Sequence, residues 1–487
     1  MSRNIRALSV FVLCMFLALF VSTTTIQVFQ RENLQANPYN SRSILAGYEV
    51  QRGAILLRDG TAIAHSVPVD SEFKYQRVYA DGPLYSAVTG YYTYSKGSTG
   101  IEQAMNPELS GRSDAQFLSG LGQLFTGQDP AGASVQLSID PAVQRVAWDA
   151  LGEMKGAVVA MDPATGEIAA MVSKPSFDPS ALTGQDQEQV LEVYNALLSD
   201  PEQPLQNRAI GGDMNPPGSV FKLVIAAAAL EYGVTTPDGP LPNPPTFTLP
   251  GSTAVVNNPV HGAPCGEGET TTLRQAIQDS CNVPFAQLAI TLGDTRVREM
   301  AEKLGFNHEF SIPTTASASN YPEESLDDAQ TALTGFGQFD VRATPLQISL
   351  VSSAIANGGI VMNPTLVDQV IAADLQQLTG GDGSQFGRAF SEQTARALQE
   401  MMVGSVSSGV ASNARIDGVD VAGKTGTAEN GEDEPYSLWF TGFIASGDRH
   451  LVVTVVLEDG GGEGQSGTGN GLAATIAQQV MKAVLDQ

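Results

Sequence analysis

The sequence is poor in residues that hold metals. It has three cysteines in 487 residues, no Cys-x-x-Cys spacing, and four scattered histidines with no His-Glu-x-x-His helix. Neither a zinc knuckle nor a zinc hydrolase centre is expected, and no other cofactor is called for. Basic residues are also scarce: 26 Lys and Arg stand against 52 Asp and Glu, a formal charge of −26. Such a field repels nucleic-acid phosphates and anionic lipid surfaces, which removes nucleic acid from the expected partners. Gly at 50 and Pro at 27 fall short of a disordered composition, and 42% hydrophobic residues can fill a sizeable core. At about 150 residues per domain the length argues for roughly three units.

Long hydrophobic runs are confined to the N-terminus. Ala7 to Gln30 carries no charge, and at about 1.5 Å per helical residue it reaches roughly 36 Å, enough to cross a bilayer. Arg3 and Arg6 precede it and Ser22–Thr25 offers no Ala-x-Ala site. An uncleaved single-pass anchor is favoured, with residues 1–6 cytoplasmic, 7–30 in the membrane and the remainder outside. The competing reading is a signal peptide, because the strictly apolar part, Ala7 to Val21, is short. Cys14 then lies in the apolar segment as a small hydrophobe. Cys265 and Cys281 lie in the exported part, where an oxidising compartment would let them close a loop worth about 3 kcal/mol. Two free thiols are the alternative.

Residues 31–132 alternate short apolar runs with Gly, Ser and Asp, as in QRGAILLRDGTAIA, and read as a small strand-rich domain. The character changes at Ser134, where SVQLSIDPAVQRVAWDAL predicts a strand and then a helix with Pro141 near its start. A second domain, 133–487, is expected from there. Its early hairpin joins Ala157–Met161 to Ile168–Ser173 through Asp162-Pro-Ala-Thr-Gly166. Three late strands are expected in VDVAGKTGTAE, YSLWFTGFIASG and HLVVTVVLED, the last two joined by Gly447-Asp448-Arg449 and followed by a helix over 472–485. Helical patterns occupy 273–280, 295–304, 327–333, 344–356 and 391–403. Strands from both ends of the domain imply an antiparallel sheet flanked by helices with an inserted helical region, an α/β architecture of the α+β kind.

Ser219-Val-Phe-Lys222 opens LVIAAAALEYG, a run apolar on all sides that predicts a buried helix beginning at Ser219. Lys222, three positions on, is then on the same face as the Ser219 hydroxyl, and burial would lower its pKa until the neutral amine can take the serine proton. The plainer reading makes Ser219 a cap and Lys222 a solvated first-turn residue, and Ser71-Glu-Phe-Lys74 shows how weak the spacing is alone. Ser280-Cys281-Asn282, after a predicted helix, offers a hydroxyl and an amide to relay a proton and grip a carbonyl. Lys424-Thr425-Gly426-Thr427 offers a cation and hydroxyls for a carboxylate, with Gly426 letting a ligand approach the backbone. Each alone is usually a cap, a turn or an edge strand.

Together and in this order the three elements resemble those of penicillin-binding proteins and serine β-lactamases. RGAILLRDG, GSTGIEQAMNPELSG, DPATGEIAAMVSKPSFDP, QNRAI and SLWFTGF extend the resemblance from about Arg52 to the C-terminus, toward the short class B penicillin-binding proteins of high-GC Gram-positive bacteria. The resemblance implies a transpeptidase fold with a five-stranded antiparallel sheet, preceded by a pedestal or dimerisation-like domain. It implies that Ser219 attacks the bond between the terminal D-alanines of a peptidoglycan stem peptide, with Lys222 as base. Ser280 and Asn282 would relay protons and position the donor, and Lys424, Thr425 and Thr427 would hold its carboxylate. The backbone N–H groups of Ser219 and Thr427 would form the oxyanion hole. An amine of a neighbouring stem peptide would take the acyl group, β-lactams would acylate Ser219, and a membrane glycan polymerase is the implied partner in cell-wall synthesis, shape or division.

Rival patterns are weaker. Gly418 to Thr425 fits the Walker A expression, but a P-loop lysine must open a helix, and Gly426, Asn430 and Gly431 follow instead. Gly462 to Gly467 fits GxGxxG but lacks a following strand and an acidic residue for a ribose. Within the resemblance, a β-lactam hydrolase, a carboxypeptidase, or a non-catalytic sensor or scaffold are the alternatives.

Overall fold

The computed structural model describes residues 3–30, 34, 48–71, 73–116, 131–259, 262–381, 383–445 and 450–486. Parts of the expected 31–132 domain and the expected turn at 447–449 lie outside the described residues. The apolar N-terminal segment is helical: Arg3–Thr24 is α-helix and Thr25–Phe29 continues it as a π turn. Ile5–Phe29 is long and apolar enough to cross a membrane.

Five antiparallel strands form the central sheet, in the order Val421–Ala428, Ser437–Ile444, Val452–Leu457, Gly156–Met161 and Ile168–Lys174. Both faces are covered, which explains why these strands read as continuous apolar runs. Ala157, Val159 and Met161 face one core with the helices Lys222–Glu231 and Pro345–Ala356. The alternate residues Val158 and Ala160 face the other, with Pro141–Leu151 and Ala474–Leu485. Asp140 caps the Pro141 helix by accepting from the backbone N–H groups of Ala142 and Val143, and Pro141 at N1 has no N–H to leave unpaired. The inserted region supplies Leu273–Gln278, Val283–Leu292, Asp294–Lys303 and Asp328–Thr334.

A second sheet organises the pedestal. Ser134–Leu137, placed with the second domain on its sequence, pairs parallel with Ile55–Leu56 and antiparallel with Val367–Ile371. The sheet thus holds strands from both sides of residue 133. The pedestal is also less purely strand than expected, because Gly82–Thr89 and Gly100–Ala104 are helices. Pro83 at the start of the first fixes a helical φ. Its centre is a buried ion triad in which Glu102 accepts from Arg52 Nε and Arg77 Nε, each at 2.6 Å. Burial alone would raise the Glu102 pKa, but the two guanidiniums hold it below the usual carboxylate value.

Candidate active site

Ser219 lies in a 3-10 turn, Gly218–Phe221, and the α-helix begins only at Lys222. That differs from the single helix expected from Ser219 onward. The reason is the packing of the turn against the edge strand Val421–Ala428. A Cβ at Gly426 would lie 3.0 Å from the Pro217 carbonyl oxygen and 3.1 Å from Trp439 Cβ. The absence of a Cβ at Gly426 therefore admits the Ser219 turn. Trp439, fully buried, donates from Nε1 to the Pro216 carbonyl at 3.0 Å and fixes the same turn.

Lys222 is fully buried on the first turn of its helix. Its Nζ donates to the Ser280 carbonyl at 2.6 Å and to Asn282 Oδ1 at 2.8 Å, and lies 3.4 Å from Ser280 Oγ. It makes no hydrogen bond to Ser219 Oγ among the described residues. Burial first, and the nearby Lys424 charge second, push its pKa well below the usual lysine range.

The Ser280-Cys281-Asn282 segment ends the helix Leu273–Gln278 in a Schellman arrangement. Cys281 N donates to the Ala276 carbonyl and Ser280 N to the Ile277 carbonyl, with Ser280 at φ +56. Cys281 is bonded to Cys265, with Cα atoms 5.8 Å apart. Asn258, which nothing in the sequence singled out, holds the next turn: its Oδ1 accepts from the N–H groups of Asn282 and Val283, both at 3.0 Å. Asn282 Nδ2 donates to the Asn257 carbonyl at 2.8 Å.

Lys424 sits in mid-strand, opposite Thr441, so the Walker A spacing builds no phosphate loop. Its buried Nζ donates to Ser280 Oγ at 2.7 Å and to the Thr425 carbonyl at 2.8 Å. Burial pushes its pKa down to about 7. Ser219, Ser280, Asn282, Thr425 and Thr427 line one cleft of about 780 Å³. Lys222, Lys424 and Gly426 are not among its lining residues, and the two lysine amines are hydrogen-bonded to Ser280, Asn282 and the Thr425 carbonyl at its wall. Gln338, Phe339, Glu429 and Asn470 also line the cleft and carry no sequence motif. Among the described residues, Cys265, Asp279 and Cys281 bring possible metal-ligand atoms close together, and the two sulfurs there are bonded to each other.

Half-buried hydroxyl, shielded amines and a hydroxyl-lined groove form a constellation suited to acyl transfer through a serine ester. Residues 156–482 match the family described as penicillin binding protein transpeptidase domain, and residues 52–135 match the penicillin binding protein A dimerisation domain. The chain is 39% identical to the peptidoglycan D,D-transpeptidase PbpA of Mycobacterium tuberculosis, an alignment covering 100% of this chain and 99% of that one. It is 38% identical to the Mycolicibacterium smegmatis protein of the same name, with the same coverage. The structure of penicillin-binding protein A from M. tuberculosis as a ceftriaxone acyl-enzyme complex superposes with a TM-score of 0.86 at 39% identity, covering 91% of this chain and 100% of that one.

Proposed function

The chain belongs to the class B penicillin-binding proteins, serine peptidoglycan D,D-transpeptidases, and from that premise we propose how its own residues divide the reaction. Ser219 Oγ attacks the carbonyl between the terminal D-alanines of a donor stem peptide. Lys222 receives its proton. A neutral amine has two N–H bonds and one lone pair; the Ser280 carbonyl and Asn282 Oδ1 occupy the two donors and leave the lone pair for the proton. The developing oxyanion is met by the backbone N–H groups of Ser219 and Thr427. Ser280 passes the proton to the leaving amine, and D-alanine departs as the peptide C–N bond breaks. A neutral amine of a second stem peptide then attacks the Ser219 ester, the ester C–O bond breaks, and the amine's proton returns through Lys222 to the serine oxygen. Thr425 and Thr427 hold the donor carboxylate, with the Lys424 charge behind them. β-Lactams enter by the first step and remain on Ser219.

The observation that carries this assignment is the convergence of two buried lysine amines on one hydroxyl, Ser280 Oγ, at the wall of the cleft that contains Ser219. The test is intact-mass spectrometry of the full-length chain in detergent, incubated with penicillin. One covalent penicillin on the wild type and none on Ser219→Ala is the expected result. An adduct that survives in Ser219→Ala removes Ser219 from the role.

The helix Ile5–Phe29 supports an anchor with its N-terminus cytoplasmic and the cleft outside, since Arg3 and Arg6 lie at its N-terminal end, before the uncharged run from Ala7. The pedestal following that anchor is the surface offered to a membrane glycan polymerase. Co-purification of the full-length chain with such a polymerase, lost on exchanging the pedestal, tests this.

A further inference from the structure

Two clefts meet at Phe339. The cleft containing Ser219 shares Gln338, Phe339 and Glu429 with a second cleft of about 660 Å³, which Asp213, Arg342 and Glu432 also line. Phe339 is 38% exposed and joins no core cluster among the described residues. Its backbone sits at φ +63, a region that bulky residues rarely adopt.

The surroundings impose that conformation. Arg342 Nη1 donates to the Phe339 and Val341 carbonyls at 3.0 and 2.9 Å, and Asn320 Nδ2 donates to the Asp340 carbonyl at 2.7 Å. The same turn is tied to the nucleophile's turn, because Gly218 N donates to the Gly337 carbonyl at 3.0 Å. A Cβ at Gly337 would lie 2.1 Å from the Gly218 carbonyl oxygen, so the two turns stay in contact. Folding thus holds an exposed aromatic ring in an unfavourable backbone conformation beside Ser219 and gains little burial for it. Strain of this kind collects where a side chain is needed for contact with a ligand.

Transpeptidation uses two peptides, and the second must reach the Ser219 ester while the donor's acyl portion still occupies the first cleft. We propose that Phe339 selects the acceptor: its ring is the wall on which the second, amine-bearing peptide strand packs as it enters through the 660 Å³ cleft. The assignment rests on the Ser219 acyl-enzyme described above. The charge of the second cleft agrees with it. Asp213, Glu429 and Glu432 are exposed there against the single cation of Arg342, so an incoming ammonium meets a net negative cleft before it gives up its proton to attack.

The test uses the full-length chain in detergent with an acyl-D-alanyl thioester as donor and a diamino-acid amide as acceptor probe. Three rates are measured: acylation by penicillin, hydrolysis of the thioester, and transfer to the amine. Because Phe339 also lines the Ser219 cleft, transfer in Phe339→Ala and Phe339→Gly is read relative to each variant's own penicillin acylation and thioester hydrolysis. The transfer-to-hydrolysis ratio should fall tenfold or more, through a raised acceptor KM, and Phe339→Tyr should restore it. The glycine variant accepts the positive φ without strain and keeps the test informative if the alanine variant folds poorly. An unchanged ratio in well-acylated variants overturns the proposal, as does a loss of acylation in both, which would make Phe339 a donor-side or structural residue. Failure of the wild type to acylate at all is seen before any acceptor is added, and it indicts Ser219 rather than Phe339.

Discussion

Lys424 Nζ donates to Ser280 Oγ at 2.7 Å across 144 positions of sequence. The strand that carries the lysine and the helix end that carries the serine are thereby locked together at the cleft wall. The same hydroxyl lies 3.4 Å from Lys222 Nζ, so one oxygen separates two buried amines.

Removing that oxygen leaves the Lys424 amine without this acceptor and takes away the hydroxyl that lies between it and Lys222. Ser280→Ala is expected to lower the second-order rate of acylation by penicillin about 10²-fold, the scale of a lost proton relay. Stopped-flow acylation measures it. A change below threefold would take Ser280 out of the proton path.

The two lysines set the pH profile. The lowered pKa of Lys222 favours the neutral amine that acylation needs, and acylation should fall through about pH 7 as Lys424 loses its charge. A rate that keeps climbing to pH 9 would show that Lys424 is not needed as a cation. For stability the sign is fixed by the lowered values. Between about pH 7 and the unfolded lysine value of about 10.4 the unfolded chain binds more protons than the folded one. Both groups therefore make stability rise with pH across that window, and the Lys424 penalty is complete below it. Thermal unfolding in buffers from pH 6 to 10 follows this contribution.

Cys281 carries the Cys265 bond in the middle of the segment that presents Ser280 and Asn282. Cys265→Ser frees that segment and removes a cross-link worth about 3 kcal/mol. Both a lower unfolding temperature and slower acylation are expected. A variant with lowered stability and unchanged acylation would separate the bond from the positioning of Ser280.

Asn258 anchors the same segment from the other side. Asn258→Ala leaves the N–H groups of Asn282 and Val283 without their acceptor and is expected to slow acylation about tenfold, with a stability loss of about 1–3 kcal/mol. Asn258→Asp, which keeps the acceptor oxygen, should recover most of the rate, an outcome that a purely steric role would not give.

In the pedestal, Glu102→Gln leaves the buried Arg52 and Arg77 without their counter-charge and should destabilise that domain by about 3–5 kcal/mol. Penicillin acylation at Ser219 should persist at temperatures where the pedestal has loosened. Loss of acylation together with pedestal structure would show that the two regions fold as one unit.

The sequence by itself determined the apolar N-terminal helix, the antiparallel strands around Val421–Ala428 and the three short motifs, because each is written in neighbouring residues. Apolar runs bounded by turn residues become strands wherever both faces are buried, and SxxK, SxN and KTG are legible within a few positions. Tertiary structure decided what crosses those positions. The 3-10 turn at Ser219 exists because Gly426 and Trp439 press against it. Lys222 turns to Ser280 and Asn282 because burial leaves its amine few acceptors, and Asn258 enters the site through a contact 24 residues away that no local pattern encodes. Ser134–Leu137 looks like the start of a domain and becomes a pairing strand between segments from either side of it, since ladder hydrogen bonds depend on which edges the fold brings together. The amine chemistry follows the same rule: lysines ordinary in sequence become weak bases only where folding removes their water.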